Sequence, residues 1–143
     1  MKSESVKIAE QAFARIIAGP PELIATPRLN DPVDVSIDLP VQPGLKHSVW
    51  LALQNDDELH FSVGRFWLEW SPCRDAATVD AYTEAVRGFL AGRYRVLEHE
   101  RNGECFKAEL QAPAPQGWET VGTWSKLLVP SFSEAHFNVI QNI

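Results

Sequence analysis

Apolar and polar residues alternate most regularly between Ser48 and Trp70. Because successive side chains of a strand point to opposite faces, this alternation predicts two antiparallel strands joined by a turn at residues 55–57. A turn of three residues and a shared apolar face predict the same register. That register pairs Leu53 with Leu59, Leu51 with Phe61, and Val49 with Val63.

The apolar positions change phase at Gly64. They are odd-numbered up to Val63 and even-numbered from Phe66 onward. A glycine at the change is typical either of a β-bulge, which re-aims one continuous strand, or of a tight reversal centred on Gly64 and Arg65. We expect the bulge, because short reversals usually join longer and better patterned strands.

A helix, a connector and a strand are predicted before this hairpin. Apolar residues recur every three or four positions over 6–17, and Ser3 or Ser5 precedes them as a helix cap. The proline-rich segment 22–32 has no clear period, so we expect an extended connector lying over the sheet. Residues 33–39 then alternate as a strand with one solvated face.

The second half of the chain is predicted to contain a helix followed by a hairpin. Asp75 caps the helix over 75–91, and Asn102 with Gly103 is a strong signal for a two-residue turn. The turn predicts the pairs Arg101 with Glu104, His99 with Phe106, Glu98 with Lys107, Leu97 with Ala108, and Arg95 with Leu110. This register directs Leu97, Phe106, Ala108 and Leu110 to the core, and it leaves Glu98 and Lys107 on the solvated side.

A last strand and a short helix complete the predicted chain. Trp118, Thr120 and Trp124 share one face of the strand. Ser133 then caps a short helix that contains Glu134, His136, Phe137 and Ile140, with Phe132 packed on Phe137. The predicted class is α+β: a curved, mainly antiparallel sheet of about six strands in the order α-βββ-α-βββ-α, with the long helices packed on one face.

Length and composition predict one domain over residues 1–143, since a chain of this size buries roughly 70% of its unfolded surface. No apolar run approaches the roughly 20 residues of a membrane helix, and charged residues interrupt the N-terminal apolar positions, unlike a secretory signal. We therefore expect a soluble, cytoplasmic protein. The net charge of −6 disfavours binding to nucleic acid, and an acidic surface favours solubility or a basic partner.

No constellation of residues predicts catalysis, a cofactor or a metal site. The histidines at 47, 60, 99 and 136 lack the helical spacing that aims two rings at one ion. His60 is the most interesting of them, because it points away from the face of its neighbours Leu59 and Phe61. Cys73 and Cys105 are far apart in sequence and are predicted to be free thiols. The paired acids fit turns and solvated faces.

Five tryptophans are the unusual feature of the chain. The strand phases place them on both faces of the predicted sheet, so some aromatic surface is either covered by helices or available to a partner. The leading hypothesis is a non-enzymatic binding module that holds a protein partner or self-associates, with Trp67 as the first candidate. The alternative is a small-molecule-binding or enzyme domain with an apolar pocket between the sheet and helix 75–91. Trp67, Trp70, Tyr82 and Trp124 would line that pocket.

Overall fold

The computed structural model of the chain describes residues 2–126 and 134–143, which form two helices and nine strands. In chain order these are α1 Glu4–Ile17, β1 Thr26–Pro27, β2 Val35–Leu39, β3 Val49–Gln54, β4 Glu58–Val63, β5 Phe66–Trp70, α2 Ala76–Leu90, β6 Arg95–Arg101, β7 Glu104–Ala114, β8 Gly117–Ser125 and β9 His136–Gln141.

The strands form two antiparallel sheets instead of the single predicted sheet. The first sheet has the order β1-β2-β3-β4-β5, and the second has the order β8-β7-β6-β9. The predicted order α-βββ-α-βββ-α, with about six strands and long helices, was therefore wrong. The helices have 14 and 15 residues, and strand is the commoner structure.

One cause of this error is the reversal at Gly64. Val63 pairs with Phe66 across a turn whose two central residues are Gly64 and Arg65, so the expected β-bulge was wrong and the tight reversal is correct. Gly64 has φ +56°, a left-handed conformation that glycine adopts without the steric cost of a Cβ. The chain thereby gains β5 as a separate strand at the edge of the first sheet.

Two further strands replace predicted irregular or helical structure. Thr26 and Pro27, inside the predicted connector 22–32, pair with β2. Residues 136–141 form β9, which pairs with β6 along its whole length, so the predicted C-terminal helix was wrong. The predicted cap Ser133 and its neighbour Phe132 lie outside the described residues.

The first hairpin has the predicted register. Val49 pairs with Val63, Leu51 with Phe61, and Leu53 with Leu59. All six of these side chains are buried. Both helix caps are also as expected: Ser3 Oγ accepts a hydrogen bond from Val6 N–H, and an Asp75 carboxylate oxygen accepts one from Ala77 N–H.

The second hairpin departs from its predicted register after two pairs. Arg101 pairs with Glu104 and Glu100 with Cys105, but a bulge then shifts the ladder by one residue. Glu98 consequently lies opposite Ala108 and not Lys107. The shift turns Glu98 toward the core, where it is 3% exposed, and moves Leu97 to the other face.

The two sheets and both helices share one hydrophobic core. Helix α1 packs on β2 and β3, helix α2 packs on α1 and β5, and β5 also contacts β7 and β8 of the second sheet. The core continues into the second sheet through Val96, Ala108, Leu110 and Ile140. The opposite face of that sheet is called the second-sheet outer face below. No helix among the described residues has the length and apolar character needed to cross a membrane.

Candidate interaction surface on the second sheet

The second-sheet outer face carries large apolar side chains that the fold leaves partly exposed. Phe137 and Val139 of β9 lie directly opposite His99 and Leu97 of β6. Opposed residues of paired strands point to the same side of a sheet, so these four side chains share the outer face. Phe137 is 62% exposed and Val139 is 47% exposed. They form an apolar row along an edge of the sheet.

His99 lies at the centre of this face, in contact with aromatic rings and beside a carboxylate. Its ring makes edge contacts with the rings of Phe137 and Phe106, at centroid distances of 5.0 and 5.9 Å. Its Nε2 lies 3.3 Å from a carboxylate oxygen of Glu109, whose other oxygen lies 3.1 Å from Lys107 Nζ. The aromatic rings are therefore anchored on a polar triad.

The negative charge of Glu109 in this triad is compensated by residues of the same chain. Burial raises the pKa of the Glu109 carboxyl, but Lys107 and the neighbouring His99 ring outweigh burial and hold that pKa below its ordinary value. Glu109 is thus a carboxylate at neutral pH, with Lys107 beside it as its counter-ion. The face presents apolar surface with a compensated charge at its centre.

Trp118 extends the aromatic surface to the opposite edge strand. Its ring lies under the Arg95 guanidinium, with 4.2 Å between the guanidinium carbon and the ring centroid. Arg95 Nε also donates to Gln111 Oε1 at 2.8 Å, so the cation is held in place on the ring. Trp118 keeps 37% of its surface exposed. Aromatic and arginine side chains together are the composition enriched at protein interfaces.

The outer face of the first sheet has a different character, because its aromatic residues are hydrogen-bonded. Trp67 Nε1 donates to His60 Nδ1 at 2.8 Å, and Trp50 Nε1 donates to an Asp31 carboxylate oxygen at 2.9 Å. The hydrogen bond from Trp50, followed by that from Ser36, lowers the pKa of Asp31. Trp67 is 43% exposed and His60 is buried beneath it, facing away from Leu59 and Phe61 as predicted.

His60 also lies beside two carboxylates, and its hydrogen bonds determine whether this cluster can bind a metal ion. Nε2 lies 3.2 Å from a carboxylate oxygen of Glu58 and 3.7 Å from one of Glu69. One potential metal-ligating atom from each of the three residues lies within 4.8 Å of the others. An indole N–H only donates, so the Trp67 bond leaves Nδ1 unprotonated and places the hydrogen on Nε2. A metal ion would need the Nε2 lone pair. The cluster is therefore hydrogen-bonded and does not offer a ready metal ligand set.

The four residues predicted to line a pocket are divided between two faces. Trp70 and Tyr82 make an edge contact at 5.5 Å on the core side, and the Tyr82 hydroxyl donates to the backbone oxygen of His60 at 2.7 Å. Burial raises the pKa of Tyr82 well above its ordinary value. Trp124 lies opposite Ala108, also on the core side, whereas Trp67 lies on the outer face of the first sheet.

A groove of about 690 Å³ lies instead beside α1. It exists because β1 pairs with only two residues of β2 and leaves Val35 without a partner on that edge. Apolar side chains dominate its lining: Val6, Phe13, Ile17, Val35 and Ile37. Two pairs of charged residues lie at its rim, Lys2 with Glu10 and Arg28 with Asp31, and the lining carboxylate of Asp34 accepts a hydrogen bond from the Asp56 backbone N–H at 2.7 Å.

The two cysteines are free thiols, and both are buried. Burial is the main cause that raises the pKa of the Cys105 thiol, whose Sγ donates to the backbone oxygen of Lys107 at 3.4 Å. Cys73 is 0% exposed, and its Sγ faces the backbone oxygen of Asp56 at 3.7 Å. Since the thiolate is the nucleophilic form, the raised pKa makes Cys105 a poor nucleophile, and burial keeps Cys73 out of reach of solvent.

Sequence reasoning missed Phe137 and Val139 because it assigned residues 136–140 to a helix. The signal that identifies them is the alternation of Phe137, Asn138 and Val139, which is typical of a strand with one apolar side. Comparison with protein-family models, curated proteins and solved structures finds no match to this chain.

Proposed function

We propose that the chain is a non-enzymatic binding module that holds a protein, either a partner or a second copy, on the second-sheet outer face. The exposure of Phe137 at 62%, with Val139 and Trp118 on the same face, is the observation that carries this proposal. Exposed apolar residues are ordinary when scattered singly, but grouped on one face and bordered by polar residues they are typical of interaction surfaces.

The chemistry of the described residues supports binding over catalysis. Both thiols are buried, Tyr82 is buried with a raised pKa, and the His60 ring is occupied by Trp67 and Glu58. Charge also fits a protein partner, because the net charge of −6 disfavours nucleic acid and suits a basic or neutral surface. The free thiols favour a reducing compartment such as the cytoplasm.

The α1 groove supports a second candidate, the binding of a small apolar ligand. Its volume of about 690 Å³ lies within the range of roughly 300–1,000 Å³ typical of ligand pockets. Such pockets usually add a few unpaired polar groups that orient the ligand. Here the charged groups at the rim are already bonded within the chain, so the partner model remains the first proposal.

Replacing Phe137 with serine tests the partner model. The matched control is Ile24→Ser, which removes an apolar side chain that is 75% exposed, lies outside the lining of the α1 groove and belongs to the segment before β1. We expect both variants to keep the melting temperature, since surface changes usually alter stability by about 0.5 kcal/mol or less. Only Phe137→Ser should lose the proteins that the immobilised wild-type chain retains, as measured by quantitative mass spectrometry.

Two results would contradict the partner model. Equal retention by Phe137→Ser and wild type would show that the face does not bind. Equal loss in Ile24→Ser would show that capture reflects general hydrophobicity. The ligand model has its own test, in which Val6→Trp narrows the groove and should weaken binding of a fluorescent apolar probe while the fold is kept.

A further inference from the structure

We propose that β9 pairs antiparallel with β9 of a second copy, joining two four-stranded sheets into one of eight strands about a two-fold axis. The inference rests on the proposed function and names its partner. The starting point is the outer edge of β9, with which no strand of the described residues pairs. An edge strand presents N–H and C=O groups that add another strand readily, unless sequence or packing protects them.

The other sheet edges of the described chain are protected, and β9 is not. β1 has two residues, one of them Pro27, which lacks an N–H. β5 packs close to β7 and β8, and β8 carries a bulge at Val121 that interrupts its ladder. β9 pairs without interruption over six residues, and its sequence HFNVIQ contains no proline, lysine or carboxylate.

The alternation of β9 side chains between the two sides of the sheet restricts the register in which a second copy can pair. Opposed residues must point to the same side of the merged sheet, so odd-numbered residues pair with odd and even with even. Centring the axis on Asn138 places Phe137 of each copy opposite Val139 of the other. Aromatic and β-branched side chains directly opposite each other stabilise antiparallel pairs.

Hydrogen bonds at the end of β9 select this register over a shift toward the C-terminus. Gln141 Nε2 donates to the Gly92 backbone oxygen at 2.8 Å, and Asn142 Nδ2 donates to the backbone oxygens of Leu90 and Gly44. These bonds hold the end of the strand against its own chain. Residues 136–140 are therefore the part of β9 that offers a free edge.

Local charge does not oppose a second copy at this edge. The chain has a net charge of −6, which opposes random self-contact, but residues 137–143 contain no charged side chain. In the Asn138-centred register, Glu134 faces Asn142 of the other copy, so no two carboxylates are opposed. Pairing also continues the apolar row, because Leu97 and Val139 of one copy meet Phe137 and His99 of the other.

A cysteine at the axis tests the register. Asn138→Cys places two thiols opposite each other, and paired strands have Cα separations of about 4.5–5.5 Å, within the range of disulfides. We expect oxidised glutathione to link this variant into a covalent dimer on a denaturing gel. Thr123→Cys, an exposed residue of the same outer face but on β8, is the control and should stay monomeric. Equal linkage of both variants, or linkage of Val139→Cys in place of Asn138→Cys, would overturn the pairing.

A charge exchange tests the interface without disulfides. Sedimentation of the wild-type chain over a concentration series should show a dimer. The double variants Phe137→Lys/Val139→Lys and Phe137→Glu/Val139→Glu should each be monomeric, and an equimolar mixture should dimerise, because each lysine then meets a glutamate. Monomeric wild type, or dimers in either double variant alone, would overturn the inference. If the dimer is overturned but Phe137→Ser still loses the captured proteins, the outer face binds a different protein and the proposed function is retained.

Discussion

The Glu98 carboxylate accepts a hydrogen bond from the backbone N–H of Arg65 at 2.6 Å, which joins the second sheet to the reversal at the edge of the first. Its other oxygen accepts from Asn138 Nδ2 at 3.0 Å, so the same side chain also supports β9. Glu98 thus connects the core to the strand that carries the exposed apolar row.

Glu98→Gln should destabilise the fold. Glutamine can keep its oxygen on Arg65 N–H and donate its Nε2 to a turned Asn138 amide oxygen, so both bonds remain but lose the charged acceptor. Hydrogen bonds to charged groups contribute about 1.5–3 kcal/mol and neutral ones about 0.5–1.5 kcal/mol, so we expect a loss of about 1–2 kcal/mol. Urea unfolding should show a loss of this size, whereas the exposed Glu119→Gln should change stability little. Equal stability of the two variants would show that Glu98 contributes little to the fold.

Gly64→Ala and Gly103→Ala separate backbone strain from steric contact. Both glycines have positive φ, +56° and +75°, so both alanines carry the conformational cost of about 1–2 kcal/mol. A Cβ at Gly64 would also clash with Ile140 Cδ1 and lie 2.8 Å from Glu98 Oε2, whereas one at Gly103 meets nothing within 4 Å. We expect Gly64→Ala to be the more destabilising by about 1–3 kcal/mol, the usual cost of overpacking. Equal losses in chemical denaturation would contradict this.

The hydrogen bond from Trp50 to Asp31 should make stability depend on pH. The bond lowers the pKa of Asp31 in the folded state below its ordinary value of 3.8, so its contribution is present above the unfolded pKa and is lost as pH falls through the folded pKa. The stability difference between wild type and Trp50→Phe should therefore shrink below about pH 4.

An Asp31→Asn background provides the control for this pH dependence. In that background, Trp50→Phe should have an effect on the unfolding free energy that does not change across the same pH range. If the difference between wild type and Trp50→Phe were flat with pH, the bond would not carry the lowered pKa.

Local signals predicted some elements fully, as the first hairpin shows. Its turn length and apolar face select the same register, and the pairs Val49 with Val63 and Leu51 with Phe61 follow. The second hairpin has no such agreement, because Leu97 and Val96 are both apolar and either can face the core. The bulge beside His99 determines which of them faces the core. It places Glu98 on the core side and Leu97 on the second-sheet outer face.

The candidate surface depended on a long-range pairing that the local pattern did not specify. Phe137 and Ile140 are three residues apart, as on a helix face, while Phe137 and Val139 alternate, as in a strand. The partner strand β6 lies about 40 residues earlier and decides between the two. The aromatic surplus was recognised from sequence, but the face that carries exposed Phe137 followed only from β9.

The tautomer of His60 can be measured directly, and it tests the account of the Glu58, His60 and Glu69 cluster. Because Trp67 Nε1 donates to Nδ1, nitrogen NMR of the imidazole should show hydrogen on Nε2 alone. Trp67→Phe removes the donor and frees Nδ1 to carry the hydrogen, which leaves Nε2 available as a ligand between the two carboxylates. We therefore expect Zn²⁺ to shift the His60 signals in Trp67→Phe and to leave them unchanged in the wild type. A wild-type ring protonated on Nδ1, or a wild-type response to Zn²⁺ equal to that of the variant, would show that Trp67 does not govern this cluster.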